Sequence, residues 1–373
     1  MEYKRLGDYI REVNVRNRDE KVTTLQGVSI SKTFIPSIAN IIGTDLSAYK
    51  VVERGQFAYG PVTSRNGDKV SIALLDDFDD AIISQAYTVF EVFDREALLP
   101  EYLMMWFRRP EFDRYARFHS HGSAREIFDW DELCDVQLPI PSITHQREIV
   151  EEYETLTNRI RLNEQMIQHL ESTAQVLYRK MFVDNIDKEH LPEGWRMGTL
   201  GDVCKYVDKK VSLVDIDESA YIATENMLKD RKGIITSINK PEEGRGTQFQ
   251  IDDILISNIR PYFKKIWRAS FNGGSSNDVL CFRAMNIYNA SMLYYTLEQD
   301  AFFDYVMAGS NGVKMPRGDK EWIMKYPILI PPEDSIESYQ EMTNNIHREN
   351  IIRKQENLKL TELQSLLLAK MGQ

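Results

Sequence analysis

Apolar residues recur at alternating steps of four and three along one stretch of the chain: Ile149, Tyr153, Leu156, Ile160, Asn163, Ile167, Leu170, Ala174, Leu177 and Met181. Such spacing stacks one side chain per turn on a single helix face. Sustained over more than four heptads, it is a coiled-coil seam. A helix from Thr144 to Phe182 is predicted, 39 residues and about 58 Å long at roughly 1.5 Å per residue. Pro141 ends the segment before it and lets the helix begin. Asn163 is the one strongly polar member, and a buried Asn in a seam can fix register at some cost in stability. Further along, the same register passes through Tyr339, Thr343, Ile346, Asn350, Arg353, Asn357, Leu360, Gln364, Leu367 and Met371. That second seam is apolar at its ends and polar in its middle, a mixture too weak to hold a helix alone. Its natural partner is the first helix of the same chain, packed antiparallel. A plain spacer, or a zipper between two copies, is the alternative.

The other segments have a different rhythm. Short apolar runs, VSIAL (70–74), AYTVFEVF (86–93), DILIS (253–257) and VLCF (279–282), are punctuated by Gly, Asn and Pro and predict strands and turns. The stretches 101–118 and 291–308 predict amphipathic helices, so the fold class is α+β. The chain also repeats itself. At an offset of 190, Leu103 falls on Leu293, Phe112 on Phe302, Gly122 on Gly312, and Lys180-Met181 on Lys370-Met371. QLPIPS (137–142) falls on PILIPP (327–332). Leu-Gly-Asp occurs at 6–8 and again at 200–202, an offset of 194. A duplicated unit of about 190 residues follows, with a globule at 1–141, a helix at 142–187, a globule at 188–331 and a helix at 332–373. In both copies the globule precedes its long helix, and the two helices form an antiparallel coiled coil about a pseudo-twofold axis.

Charge and chemistry narrow the picture. The 373 residues carry a net charge of −11, which lowers the expectation of a nucleic-acid partner. The acid is unevenly spread: residues 1–140 hold 17 Lys/Arg against 23 Asp/Glu, whereas residues 188–331 hold 19 of each, with basic clusters among them. The opening MEYKRLGD has no apolar core and does not read as a signal peptide. No apolar run is long enough for a membrane span. Three scattered cysteines, Cys134, Cys204 and Cys281, fit a reducing cytoplasm rather than a disulfide framework. GVSISKT (27–33) places Ser31 where a phosphate loop needs glycine before its lysine, and reads as strand and turn. His119 and His121 lack a third ligand at a suitable spacing, and DDFDD (76–80) reads as a solvated turn, so no metal site is expected. No methyltransferase signature or nuclease carboxylate-lysine set is found. The chain is expected to be non-catalytic.

What remains is a set of basic, aromatic loops. SNIRPYFKKIWR (257–268) places Arg260, Lys264, Lys265 and Arg268 among Tyr262, Phe263 and Trp267, with Asn258 at its start. Such cations can neutralise phosphates, and Arg and Asn can read base edges. The first copy has a looser counterpart in AYGPVTSRNGDK (58–69), with Tyr59, Arg65, Asn66 and Lys69 as candidates. HGSAR (121–125) and NGVKMPR (311–317) share a glycine followed by cations, Arg125 in one and Lys314 and Arg317 in the other. Lys32, Asn226 and Lys229 complete the set. An ordinary solvated basic face is the alternative reading of each loop.

The ordered set of motifs resembles the specificity subunits of type I restriction–modification systems over nearly the whole chain. LPEGWRMGTLGDV (191–203) resembles the entry to that family's target-recognition domain. LPIPSITHQREIVEEYETL (138–156) resembles the proline-then-helix entry of its central spacer, and DDILISNIRP (252–261) its recurrent strand and loop. The first copy lacks the Leu-Pro-x-Gly-Trp entry, its GQFAYG (55–60) matches DDILIS only loosely, and the second helix lacks a pair like His145-Gln146. The resemblance implies two globules that each read half of a split, asymmetric site in double-stranded DNA, and paired helices that set the gap. It implies methyltransferase subunits, carrying S-adenosylmethionine, and restriction/translocase subunits as partners, with no cofactor bound by this chain. The specificity chain of a type IIB system, a stand-alone DNA-binding regulator and a coiled-coil scaffold are the rival readings.

Overall fold

The computed structural model describes residues 3–37, 45–63, 69–122, 125–184, 186–187, 189–235, 240–285, 290–312 and 314–372. They divide into two compact units, one of residues 1–162 and 356–373, the other of residues 163–355.

In the first unit, four antiparallel strands lie in the order Ile10–Val13, Thr88–Val92, Gln56–Gly60, Ser71–Leu74. The inner strands are buried and rich in β-branched and aromatic residues, as a covered sheet requires. Phe57 and Phe90 stack at 4.8 Å, and Phe107 meets both edge-on. Phe107 comes from helix α1 (Pro100–Arg108), which is followed by α2 (Pro110–Phe118) and α3 (Trp130–Cys134). The single helix expected over 101–118 is thus two. Pro110 is the cause: it bars its predecessor from helical angles, and Arg109 is extended at φ −69°, ψ 136°.

Helix α4 (Ile143–Phe182) starts within a residue of the expected position. Gln146, fully buried, secures its entry by donating to the carbonyls of Ala97 and Pro141 and accepting from the Leu99 amide, all at 2.9 Å. None of the ten seam positions from Ile149 to Met181 is exposed, whereas most residues between them are.

The second unit repeats the plan. Its main sheet runs Cys204–Tyr206, Val279–Ala284, Ile254–Ser257, Ile266–Arg268, all antiparallel. A second sheet joins Lys210–Ser212, Arg245–Phe249, Gly273–Ser275 and Tyr221–Ile222. Helices α5 (Ala290–Glu298), α6 (Asp300–Ala308) and α7 (Lys320–Met324) match α1 to α3 at an offset of 190. The expected helix 291–308 also breaks, here at Gln299, which is extended although no proline follows. Both sequence repeats land on one junction. The amide of Leu6 donates to Val136 O at 2.8 Å, and that of Leu200 donates to Tyr326 O at 2.9 Å. Thus each Leu-Gly-Asp is tied to the strand leading into its long helix, Gln137–Pro139 in one unit and Pro327–Ile330 in the other.

Helix α8 (Glu333–Lys370) follows, and again none of the ten seam positions from Tyr339 to Met371, the last just past the helix, is exposed. Where Gln146 stands in the first helix, Ile336 stands here, buried in the core, so the missing polar pair is replaced by an apolar contact. Within the second unit, Tyr339 of α8 is fully buried, with its ring 5.3 Å from that of Phe182 and its hydroxyl donating to Ala174 O at 3.3 Å. Arg353 Nη1 donates to Asn163 Oδ1 at 3.2 Å, and Lys354 pairs with Glu171 at 3.2 Å. Within the first unit, Arg159 pairs with Glu356 at 2.8 Å and Gln364 donates to Thr157 Oγ1 at 2.7 Å. Among the described residues, no helix is long and apolar enough to cross a membrane.

Candidate nucleic-acid interface

The strand Ile254–Ser257 delivers its chain into a tight double reversal. Arg260 (φ 52°) and Lys264 (φ 50°) are both left-handed and flank a 3₁₀ turn at Pro261–Phe263. Pro261 presets that turn. Two neighbouring turns are bonded onto this loop. Ile259 bridges Arg317, and the Arg260 amide donates to Pro316 O at 2.8 Å. On the other side, the amides of Asp230 and Arg231 donate to the carbonyls of Phe263 and Lys264 at 2.9 and 3.1 Å. Segments 226–231, 258–265 and 311–317, far apart in sequence, therefore form one surface of the second unit.

The candidates on this surface differ in what they have free. Tyr262 is 46% exposed. Lys229 is exposed, with its ammonium 4.1 Å above the Phe263 ring. Lys314 is exposed, and Arg317 is exposed beside Asp278 at 3.2 Å. Arg260 Nε and Asn258 Oδ1 are buried without a hydrogen-bond partner among the described residues. Others are already engaged. Lys264 pairs with Asp300 at 2.6 Å, and Arg231 reaches the same carboxylate, which both cations hold below the usual range. Lys265 donates to Thr224 O at 2.6 Å, and burial lowers its pKa. Asn226 caps its own turn by accepting from the Ala223 amide at 2.9 Å. Arg268 stands apart on the strand Ile266–Arg268, held by Asp252 at 2.8 Å and Ser291 at 2.7 Å.

The first unit builds the same joint with fewer described cations. Val62 bridges Ile127, and the Thr63 amide donates to Glu126 O at 3.0 Å, tying the loop after Gln56–Gly60 to the 121–127 turn. That turn and its counterpart close alike, through paired amide–carbonyl bonds of 2.9 Å between His121 and Ile127 and between Asn311 and Arg317. Gly122 (φ +133°) is required there, since an added Cβ would lie 2.1 Å from Arg125 O. His119 and His121 both reach Glu132, at 2.9 and 3.5 Å, and brace the turn. Lys69 and Arg125 are exposed. Arg65 and Asn66 lie outside the described residues.

Two candidates turn inward. Tyr59 is fully buried, and its hydroxyl donates to Asp129 O at 3.4 Å. Alternation along a strand covered on both faces puts it in the core. Lys32 is 5% exposed, bonded to Phe107 O and paired with Asp113 at 2.8 Å. Burial pulls its pKa down while Asp113 holds it up. Neither side chain presents itself to solvent. Arg231 is the residue the sequence did not mark; a left-handed Asp230-Arg231 pair (φ 55° and 62°) aims it at Asp300, and no spacing rule shows that.

A twice-repeated α+β plan with a cation-bearing joint at the same point of each copy is the class of architecture the structure defines. Comparison with known proteins shows what the chain is similar to. No protein-family model matches the chain. Over 149 residues, 39% of the chain, it is 27% identical to the type I restriction enzyme HindI specificity subunit of Haemophilus influenzae, a match spanning 32% of that protein. Over 127 residues, 31% of the chain, it is 25% identical to the MjaIX specificity subunit of Methanocaldococcus jannaschii, spanning 29% of that protein. The matches thus cover about a third of each curated relative. The crystal structure of a type I restriction–modification S subunit from M. genitalium shares the fold, with a TM-score of 0.59 over 100% of this chain and 96% of that one at 13% identity. The chain is similar to type I restriction enzyme specificity subunits, as its motifs led one to expect.

Proposed function

We propose that this chain is a non-catalytic DNA-recognition subunit of a type I restriction–modification complex. The observation that carries the reading is the joint after each central strand, where turns distant in sequence gather cations: Lys229, Arg260, Lys314 and Arg317 in one unit, Lys69 and Arg125 in the other. In this reading residues 1–141 and 188–331 are tandem target-recognition domains. Each reads half of a bipartite site, and because their loops differ the site is asymmetric. Residues 142–187 and 332–373 are spacer helices that form an antiparallel coiled coil and set the gap. In this reading phosphate contacts by the cations position the domains, and Asn258, Arg260 and Tyr262 meet base edges. Methyltransferase subunits supply S-adenosylmethionine and the catalytic pocket into which the target base is flipped. Restriction/translocase subunits join for cleavage, and the assembly works in the cytoplasm.

Single-molecule methylome sequencing tests this. A host expressing the chain with its neighbouring methyltransferase is compared with one lacking only the chain. A split, asymmetric methylated motif that depends on the chain is expected. Unchanged methylation, with the methyltransferase shown to be active on another specificity chain, would overturn the proposal.

A further inference from the structure

A cleft of about 700 Å³ opens within the second unit, walled by α4, α5, α8, the strand Ile266–Arg268 and the turn at Asp230–Gly233. Its size falls within the range of small-molecule sites, and it shares only the Asp230–Arg231 edge of the interface turns. All but one of its cations are matched, the exception being Lys232, which is exposed. Arg268 is held by Asp252 at 2.8 Å, Lys354 by Glu171 at 3.2 Å, and Arg231 by the Glu298 carbonyl at 2.8 Å and the Asp300 carboxylate. Its acceptors are not. Glu298 Oε2 and Asn350 Oδ1 are buried without a hydrogen-bond partner among the described residues, and Asn350 is only 7% exposed, while His347 Nε2 faces Asp252 at 3.7 Å. Buried polar atoms left unmatched are costly, so these two acceptors call for a donor. Tyr294 and Tyr295 line the same space, and aromatic rings beside a carboxylate suit a desolvated organic cation.

We infer that the cleft binds a small organic cation rich in N–H groups, an alkylammonium or alkylguanidinium, through Glu298 Oε2 and Asn350 Oδ1. A metal ion would use none of the cation's N–H groups, and an anion would meet the unmatched acceptors head-on. Burial sets how this site responds to pH. It pushes the Glu298 carboxyl up to about 7, with Glu171 adding to the rise and Arg231 opposing it. Glu171, Asp230, Arg231, Lys232, Arg268 and Lys354 are the other charged groups that line the cleft, and burial holds the His347 imidazole down to about 4.

The probe is agmatine, titrated calorimetrically into the full chain, with butane-1,4-diol as its neutral counterpart. One saturable site is expected for agmatine and none for the diol. Glu298→Gln and Asn350→Leu should each weaken binding about tenfold or more. The second change leaves the net charge untouched, which separates this site from general attraction to an acidic chain. Affinity should fall about tenfold from pH 8 to pH 6, as a carboxyl with a pKa near 7 is protonated and agmatine stays charged. No saturable binding, binding indifferent to both variants, or binding independent of pH would each overturn the inference.

Discussion

Lys32 and Lys229 stand in similar polar stretches, yet one is a buried strut and the other an exposed arm. The difference comes from Asp113, 81 residues downstream, which pairs with Lys32 at 2.8 Å while its other contact braces the Val70 amide at 3.1 Å. No local pattern announces such a partner, which is why the sequence could nominate both lysines but not rank them. Lys32→Ala should cost about 3 kcal/mol in guanidinium denaturation, because it strands a buried carboxylate. Lys229→Ala should leave stability within about 0.5 kcal/mol. Equal effects would contradict the burial contrast. Glu298 and His347 are opposed in a way that hides both. The folded state holds His347 down to about 4, so its stability is lost as pH falls from 6.5 towards 4. It holds Glu298 up to about 7, so stability is lost as pH rises from 4.5 through 7. Between about 4.5 and 6.5 the two slopes cancel. Glu298→Gln should therefore expose an acid-side loss of about 3 kcal/mol between pH 6.5 and 4, and His347→Gln the reverse slope. Parallel pH profiles for both variants would dismiss the pairing.

At the scale of elements, the repeat and the long helices were legible because periodicity is local arithmetic: the 4,3 spacing, the two Leu-Gly-Asp turns and the Pro-rich strands all fall where expected. The breaks at Arg109 and Gln299 were not, although Pro110 supplied a signal for the first. At Gln299 the helix ends where Asp300 is drawn to Arg231 and Lys264, a tertiary demand with no sequence mark. The polar middle of the second seam has its explanation in the first. Arg353 meets Asn163, itself 1% exposed, and is tied to Glu349 at 3.2 Å. A polar layer in an otherwise apolar seam penalises every register except the one that matches it. Asn163→Leu with Arg353→Leu should keep the helices paired while loosening their register. Bismaleimide crosslinking reads this out: Glu171→Cys with Lys354→Cys is the native pair, bonded at 3.2 Å in the wild type, and Glu171→Cys with Ile351→Cys is shifted by a turn. The shifted pair should crosslink well only in the double-leucine background. A crosslink confined to the native pair in both backgrounds would mean that the apolar layers alone set the register.

At the scale of the whole molecule, a net charge of −11 has to be reconciled with the proposed DNA partner. Long-range attraction is absent or reversed for such a chain, so binding must rest on the few cations that the joints leave available. Five described candidate cations carry neither an ion pair nor a side-chain hydrogen bond among the described residues, Lys69, Arg125, Lys229, Arg260 and Lys314, and Arg317 has only the surface pair with Asp278. Each phosphate neutralised contributes about −0.9 to the slope of log K against log salt. Six contacts set a slope of roughly −5, shallow for a protein that spans two half-sites. Filter binding of the assembled complex to its methylated motif, from low to physiological salt, measures it. Arg317→Ala or Lys229→Ala should each flatten the slope by about 1 and weaken binding to every sequence alike. Arg260→Ala should instead relax the choice of base in one half of the motif and leave the other half unchanged. A slope near zero with retained affinity would remove phosphates from the interface. A slope well beyond −5 would place the contacts on cations outside the two joints.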